Sequence, residues 1–517
     1  MKPMNLIDRA IGVVAPGVAL RRVRQRTALD AFARSYDGAG RGRKTNSWRA
    51  RSTSADAELA ASGRVLRDRM RELERNNPHA ANAISQLVAH VIGDGIIPRA
   101  KTGNKRRDKK INDLFKQFVD NCDADGRLDF YGLQSLAFRE MVVSGDGLIR
   151  RFNRKGKRGA VPLKLKVVET DLIDDTRSWS LRNGTYAVNG IEFDKRGDRL
   201  AYWMFDEHPG SASLGVMTGF VSRPVDADNI VHIYEQQRTQ VRGAPWGAPA
   251  MVALHNLGAY EEAEIVRKRI ESCMVGILIG GDENDGVGIP LDGDQAPGVY
   301  DADGFQLEKF EPGMFAVARG GRDIKFNQPS PTGSYEAYKK ASLHTIAAGF
   351  RMPYSLVSGD LSQVNYSSSK IGLEAFKRLV SSVQWQIVIP MLCQPIWDWF
   401  IDAAFLAGKI DTDYVPVEWN PPRFMSADPK KDVEATLSEV RSGLKSPQRA
   451  IAETGFDPDE VLEEFAEWNA KLDAKGVVLD SDPRRMTKIG QAQAEPKDPS
   501  AKEVTEDGEG QEKADDE

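Results

Sequence analysis

One excursion constrains the fold of this chain more than anything else in it. Residues 257–350 read helix, β segment, helix, between two stretches that each mix helical and strand periodicity. From Leu257 to Ile279, Tyr260, Ala263, Val266, Ile270, Cys273 and Ile277 recur at helical spacing, which predicts a helix about 35 Å long at 1.5 Å per residue. A Gly/Asp-rich β segment follows to about Phe326, closed by Pro329 and Pro331, and a second helix is predicted over Ser334–Gly349. Any fold must therefore carry a pair of helices with a β tip between two globular halves. The fold class that follows is α+β, mainly helical.

The flanks can be read in the same way. Residues 1–55 are rich in Arg, Gly and Ser with little periodicity, and read as a basic arm. Helices start near Asp56, with Leu66, Met70 and Leu73 on one face. Asn77-Pro78 restarts a helix as N-cap and first-turn residue. Further helices run through Ile111–Phe118 and Leu133–Met141. After Gly147 the period becomes two: LIRRF and PLKLKVVE form one hairpin, NGIEFDKRGDRLAYWMF another turning at Lys195–Asp198, and residues 225–233 one more strand. After Gly349, RMPYSLVSGDLSQVNYSS reads as a polar loop. A long helix then carries Ile371, Ala375, Phe376, Leu379, Val380, Val383 and Ile387 on its apolar face. Residues 429–475 form short amphipathic helices, with Ser446-Pro447 as a cap pair, and the chain from about Ser481 is acidic and poor in apolar residues.

Several function classes lose support. The formal net charge of −4 does not suit a general nucleic-acid binder, although arginines crowd the start (Arg21, Arg22, Arg24, Arg26, Arg41, Arg43, Arg49, Arg51) and acids the end. Cys122, Cys273 and Cys393 are far apart, which points away from a disulfide framework or a zinc site and suits a reducing cytoplasm. Asp8, Arg9 and Pro16 interrupt the apolar start, so a secretory signal is not expected. The stretch Gln386–Ala407 has the length of a membrane span, but Asp398 and Asp402 favour a buried helix pair, and no membrane partner is expected. Asn121–Gly126 imitates the start of a calcium loop, yet Gly132 stands where its bidentate Glu belongs, so a turn capped by Asp is expected. Gly38–Thr45 resembles a phosphate loop but has Arg43 where Gly should precede Lys44. The histidines, including His208, His232 and His344, lack metal-ligand spacing, and His232 reads as a satisfied structural residue within a strand. No catalytic residue, metal or cofactor is expected. Trp179, Trp203, Trp246, Trp385, Trp397 and Trp399 fall at core or interface positions.

The order of segments resembles the lambda-like family of phage portal proteins. The likeness is carried by NNPHAANAISQLVAHVIGDGI (76–96), SGDGLIR (144–150), GIEFDKRGDRLAYW (190–203) and NIVHIYEQQRTQVRGAPW (229–246). Its clearest segments are LGAYEEAEIVRKR (257–269) and IAAGFRMPYSLVSGDLSQVNYSSSK (346–370), and it covers roughly residues 30–425. The resemblance implies the portal fold, a ring of about twelve subunits with a central channel at one capsid vertex, closed by heterologous contacts. It implies a wing over 56–256, a stem helix over 257–279, a β clip over 280–333 and a second stem helix over 334–350. A tunnel loop over 351–366, a wing return helix over 367–428, a crown over 429–476 and a tail over 477–517 complete the division. The implied partners are copies of the chain itself, the large subunit of the terminase, major capsid and scaffold proteins, a head-tail connector, and double-stranded DNA passing without sequence preference. The implied place is the virion, after assembly in the host cytoplasm.

A channel of that kind must pass DNA without holding it. A stem about 35 Å long faces about twenty phosphates, and gripping all of them would make DNA stick. The first stem helix is balanced, with Glu261, Glu262, Glu264 and Glu271 against Arg267, Lys268 and Arg269. The stretch Ser355–Tyr366 has no Lys or Arg and one acid. The tunnel loop that the resemblance implies makes Ser358, Gly359, Asp360, Leu361, Ser362, Gln363, Val364 and Asn365 the candidate DNA-facing residues, and this composition suits a sliding duplex; Lys339 and Lys340 are candidate stem contacts. Two other readings compete. Ser367-Ser-Ser-Lys370 matches the SxxK of serine–lysine hydrolases, with Lys101-Thr-Gly103 as KTG, but the order is reversed and SDN is missing. The other is a different head-tail connector ring, which the length disfavours.

Overall fold

In the computed structural model the described residues are 52–153, 160–180, 184–211, 221–272, 277–279, 298–300, 316–319, 335–362, 366–422, 429–454, 456 and 458–479. The chain divides into two compact units, Met1–Glu58 and Leu59–Glu517. Of the first, the described part is residues 52–58.

Helix α1 (Ala55–Asn76) ends at Asn77, whose side chain accepts from the backbone N–H groups of His79 and Ala80 and starts α2 (Pro78–Val91). This is the predicted cap with Pro at the first position. Ala80, Ala83, Ile84, Leu87 and Val91 form the buried stripe of α2. A short strand β1 (Ile97–Ala100), α3 (Lys105–Val119) and α4 (Phe130–Ser144) follow. Between α3 and α4, Asp123 accepts from the backbone N–H of Asp125, Arg127 and Leu128, so this segment is the Asp-capped turn that was expected.

Helix α4 runs straight into β2 (Asp146–Phe152) through Gly145, whose φ is +92° and where a Cβ would lie 2.6 Å from the Gly243 carbonyl. A side chain there would meet both a strained backbone and another backbone. Strand β2 is the middle of an antiparallel sheet with β3 (Lys164–Val168) and β9 (Ile230–Tyr234). The β2–β3 hairpin is the one the alternation predicts, with Leu148 opposite Val168. A second sheet is a five-stranded antiparallel meander: β4 (Trp179–Ser180), β5 (Tyr186–Val188), β6 (Ile191–Phe193), β7 (Arg199–Met204) and β8 (Arg223–Asp226). The β6–β7 turn is closed by Asp194, which accepts from the N–H of Arg196 and Asp198.

The single strand expected over 225–233 is two strands in different sheets. Asp226 accepts from Asp228 N–H and opens a 3-10 turn over Ala227–Asn229, which hands the chain from β8 to β9. An aspartate that can cap its own turn ends a strand where apolar alternation would continue it.

The first helix of the excursion, α5, covers Met251–Ser272 rather than Leu257–Ile279. It starts earlier because Met251, Leu254 and Leu257 already share a buried stripe. Ile277–Ile279 is instead strand β10, parallel to β12 (Ala316–Arg319), which also pairs antiparallel with β11 (Gly298–Tyr300). An Ile-Leu-Ile run between Gly276 and Gly280 fits a helix or a strand by pattern alone, and the β partners decide it. The return helix α6 covers Tyr335–Gly349, as predicted. The expected loop over 351–366 contains a helical turn, α7 (Tyr354–Ser358), because Leu356 and Val357 pack inward and Asn82 donates to both of their carbonyls at 2.6 and 3.1 Å.

Helix α8 (Tyr366–Val383) continues as a π-helix over Gln384–Cys393 and then α9 (Gln394–Leu406). Pro390 lies in the π segment, where a missing N–H and a bulky ring are tolerated. The run Gly372–Leu406 is long and apolar enough to cross a membrane. Its inner face instead completes the core: Phe115 lies 5.0 Å from Phe400 and 5.3 Å from Trp397, ring to ring, with Phe118 and Phe130 alongside. Strand β13 (Val417–Asn420) pairs antiparallel with β1. Helices α10 (Pro429–Arg441), α11 (Pro447–Ala452, capped by Ser446) and α12 (Pro458–Lys475) end the described chain.

Candidate channel elements and the polar node behind them

Helices α5 and α6 pack antiparallel: Gly349 meets Ala250 at one end, while Tyr260 lies 4.4 Å from Tyr338 and 6.1 Å from Tyr335, ring to ring, further out. Past Leu257 none of the described α5 side chains is buried, so the outer part of the pair is held by these rings and by Lys339, whose ammonium lies 2.7 Å from Glu261. The hydrogen bond to Glu261 raises the Lys339 pKa, burial opposing it. Lys339 is thus already matched to a carboxylate across the pair, and a phosphate contact would have to compete with Glu261. The Lys340 charge helps to keep the Asp360 carboxyl ionised.

The predicted loop residues lie where α7 ends. Ser358 donates to the Tyr354 carbonyl and Gly359, at φ +70°, caps the turn. Asp360 accepts from Ser362 N–H at 2.9 Å and from the Tyr354 hydroxyl at 3.2 Å, and the bonds from Ser362 hold its carboxyl below the usual range. Leu361 is 69% exposed and Ser362 is exposed. Gln363, Val364 and Asn365 lie outside the described residues, as do the side chains of Ser367 and Lys370.

Next to the loop stands a group of residues of which only His232 and Trp246 stood out in the sequence. Arg351, at φ +60°, joins α6 to α7, and its two terminal nitrogens lie 2.5 and 2.9 Å from the two Glu235 oxygens. Its guanidinium also covers the Trp246 ring at 5.1 Å. Glu235 directly follows β9, and β9 leads into a fully buried node. Asp146 accepts from Arg242 Nε at 2.8 Å, Gly243 N–H at 2.6 Å and His232 Nε2 at 3.0 Å. The other His232 nitrogen faces Arg199, which also donates to the hydroxyls of Tyr202 and Tyr234. That arrangement needs a neutral imidazole with its proton on Nε2. Burial lowers the His232 pKa accordingly. Burial alone would raise the Asp146 pKa, but Arg242 and His232 hold it far below the usual range. His232 is therefore the satisfied structural histidine its strand position suggested. Arg199 stands on β7 and His232 on β9, so the node pins the two sheets together.

Comparison with known proteins decides the family. The sequence profile described as "Phage portal protein, lambda family" matches residues 41–384. The chain belongs to the lambda family of phage portal proteins. Within this family, a "Probable portal protein" of Halomonas phage phiHAP-1 is 27% identical over 453 residues, covering 84% of this chain and 86% of the relative. The "Portal protein" of Escherichia phage N15 is 20% identical over 502 residues, covering 87% and 93%. Among solved structures, the neck of an empty gene transfer agent particle computed with C6 symmetry aligns at a TM-score of 0.42 and 17% identity, covering 79% of this chain and 95% of that one. The neck of the native particle computed with C12 symmetry aligns at 0.40 and 18%, covering 75% and 94%. The portal family is structural rather than enzymatic, and the α+β fold agrees with membership. The matched span includes α5, α6, α7, Arg351 and the Asp146 node, whereas α9 to α12 lie beyond it.

Proposed function

We propose that the chain is one subunit of a ring of about twelve, closed by heterologous contacts, that forms the channel for double-stranded DNA at one vertex of the virion. In this reading α5 from Leu257 onward and α6 are the stem, the β10–β12 sheet lies in the clip that faces the terminase motor and later the head-tail connector, and residues 351–366 are the tunnel loop, with Ser358 to Asn365 as its DNA-facing part. The wing is 56–256 together with 367–428, and α10 to α12 form the crown. The carrying observation is the α5–α6 pair, which is anchored in the core at Met251, Leu254 and Leu343 and exposed beyond. Its charges are balanced, and one of its lysines, Lys339, is engaged by Glu261 across the pair. A conduit needs that restraint, because every free cation on it adds salt-dependent grip.

The loop's polarity supports passage without holding. Electron microscopy of the purified full-length chain, with mass from light scattering, tests the ring. Closed rings with a central hole are expected; chains that stay monomeric even with capsid and scaffold proteins present would refute it. Deleting residues 358–365 tests the loop: rings should persist while DNA packaging or retention falls. Heads with normal DNA content would remove the loop from the mechanism.

A further inference from the structure

The most basic stretch of the described chain is not in the stem. Helix α3 carries six basic residues against two acidic ones, and five of the six, Lys105, Arg106, Arg107, Lys109 and Lys110, fall within its first six positions. This placement opposes helix stability twice. Cations at a helix N-terminus face the positive end of the macrodipole, and Lys105–Lys109 and Arg106–Lys110 are like-charge pairs four residues apart. The buried face of α3, formed by Ile111, Phe115 and Phe118, needs none of these charges. They project from the other side.

Two of them already meet anions. Lys105 pairs with Asp459 at 3.2 Å and Lys109 with Glu463 at 3.5 Å, both on α12. Helix α12 has six acidic residues against two basic ones, the opposite of α3. All four side chains are more than half exposed, so the pairs are weak and easily screened by salt. The backbone N–H groups of Arg106 and Arg107 are capped by Asn104, but the side chains of Arg106, Arg107 and Lys110 make no ion pair or hydrogen bond with a described residue.

We propose that the first turns of α3 are a sequence-independent contact for the phosphate backbone of double-stranded DNA, and that the acidic helix α12 is its intramolecular competitor. Arg106, Arg107 and Lys110 make the standing contact. Lys105 and Lys109 join it when DNA displaces Asp459 and Glu463. This contact is separate from Lys339, Lys340 and the loop, and it rests on the portal reading only for the choice of DNA as the anion. A strap held by screened pairs lets go as phosphate density rises, so the contact strengthens where DNA is crowded.

The test uses the full-length chain and a labelled random-sequence duplex of about 30 base pairs, with binding followed by fluorescence anisotropy across a salt series. The triple variant Arg106→Gln, Arg107→Gln, Lys110→Gln should bind at least about tenfold more weakly at low salt. The slope of log K against log salt should fall by about 2 to 3, at roughly 0.9 per lost phosphate contact. The double variant Asp459→Asn, Glu463→Gln should bind more tightly with a slope steeper by up to about 2. The basic arm before Ser52 is common to all variants and cancels in the comparison. A triple variant with wild-type affinity and slope overturns the site, and a double variant with unchanged affinity overturns the competition. Light scattering on the same samples, repeated with capsid and scaffold proteins present, separates this proposal from the ring: weaker binding by the triple variant while the wild type stays monomeric under both conditions keeps the site and loses the ring, and intact rings with unchanged binding do the reverse.

Discussion

Replacing Asp146 by Asn should be among the most damaging isosteric changes available in this chain. The carboxylate takes three donors in a site closed to water: Gly243 N–H and His232 Nε2 on one oxygen, Arg242 Nε on the other. An amide has a single acceptor oxygen. Placing it toward Gly243 and His232 turns the NH2 group onto Arg242 Nε–H, donor against donor. The Arg242 side chain is 6% exposed and would keep its charge without a counter-ion. Removing one partner of a buried pair costs about 3–5 kcal/mol, so the urea midpoint should fall by an amount equivalent to that range. Adding Arg242→Met removes the stranded charge, and the double variant should recover about half of the loss, giving a clear coupling energy. Urea unfolding followed by tryptophan fluorescence measures both. A single variant that loses less than about 1 kcal/mol, or a double that loses the sum of both singles, would refute the account of the node.

The same node sets an acid response. The folded His232 resists protonation, so as pH falls through about 6.5 the unfolded chain takes up a proton that the folded chain does not, and stability should decline by up to about 1.4 kcal/mol per pH unit. The depressed Asp146 acts lower: its contribution is present above about pH 4 and is lost as pH falls from there toward its folded pKa. Urea midpoints across pH 3–8 should show the first loss missing in His232→Gln. Arg351→Ala removes a bidentate pair with Glu235 and leaves alanine at φ +60°, so hydrogen exchange over 350–362 should speed up several-fold while the β2–β3 amides keep their protection. Asn82→Ala deletes two bonds to the α7 carbonyls, each worth about 0.5–1.5 kcal/mol, and should loosen Tyr354–Ser358 with little effect on α2. Limited proteolysis within 354–362 reads that change.

What the sequence disclosed was mostly local. The Asn77-Pro78 restart, the two hairpins and the Ser334–Gly349 helix were legible because caps, period-two alternation and helical stripes act over a few residues. The errors came where a distant partner decides. Ile277–Ile279 fits the helical stripe until Ala316–Ala318 pairs with it, and Tyr354–Ser358 reads as loop until α2 receives its apolar side. The Asp146 node was hidden for the same reason. SGDG, NIVHIYE and VRGAPW were each visible, but nothing in any one of them reveals that three donors from elsewhere in the chain converge on one carboxylate. The opposition of α3 and α12 was concealed differently, since a net charge of −4 averages a basic helix with an acidic one.

The pairing of β1 with β13 sets a timetable for synthesis. Ile97 leaves the ribosome early, but its partner Asn420 appears only after both sheets, the α5–α6 pair and α9 have been made. Until then the inner faces of α2 and α3, including Ile84, Leu87, Phe115 and Phe118, wait for Phe376, Trp397 and Phe400 to cover them. Such long-range closure is slow and leaves apolar surface open to chaperones and to aggregation. A nascent chain therefore cannot complete its core before Asn420 has been translated, and truncated chains ending before α9 should be cleared or clump.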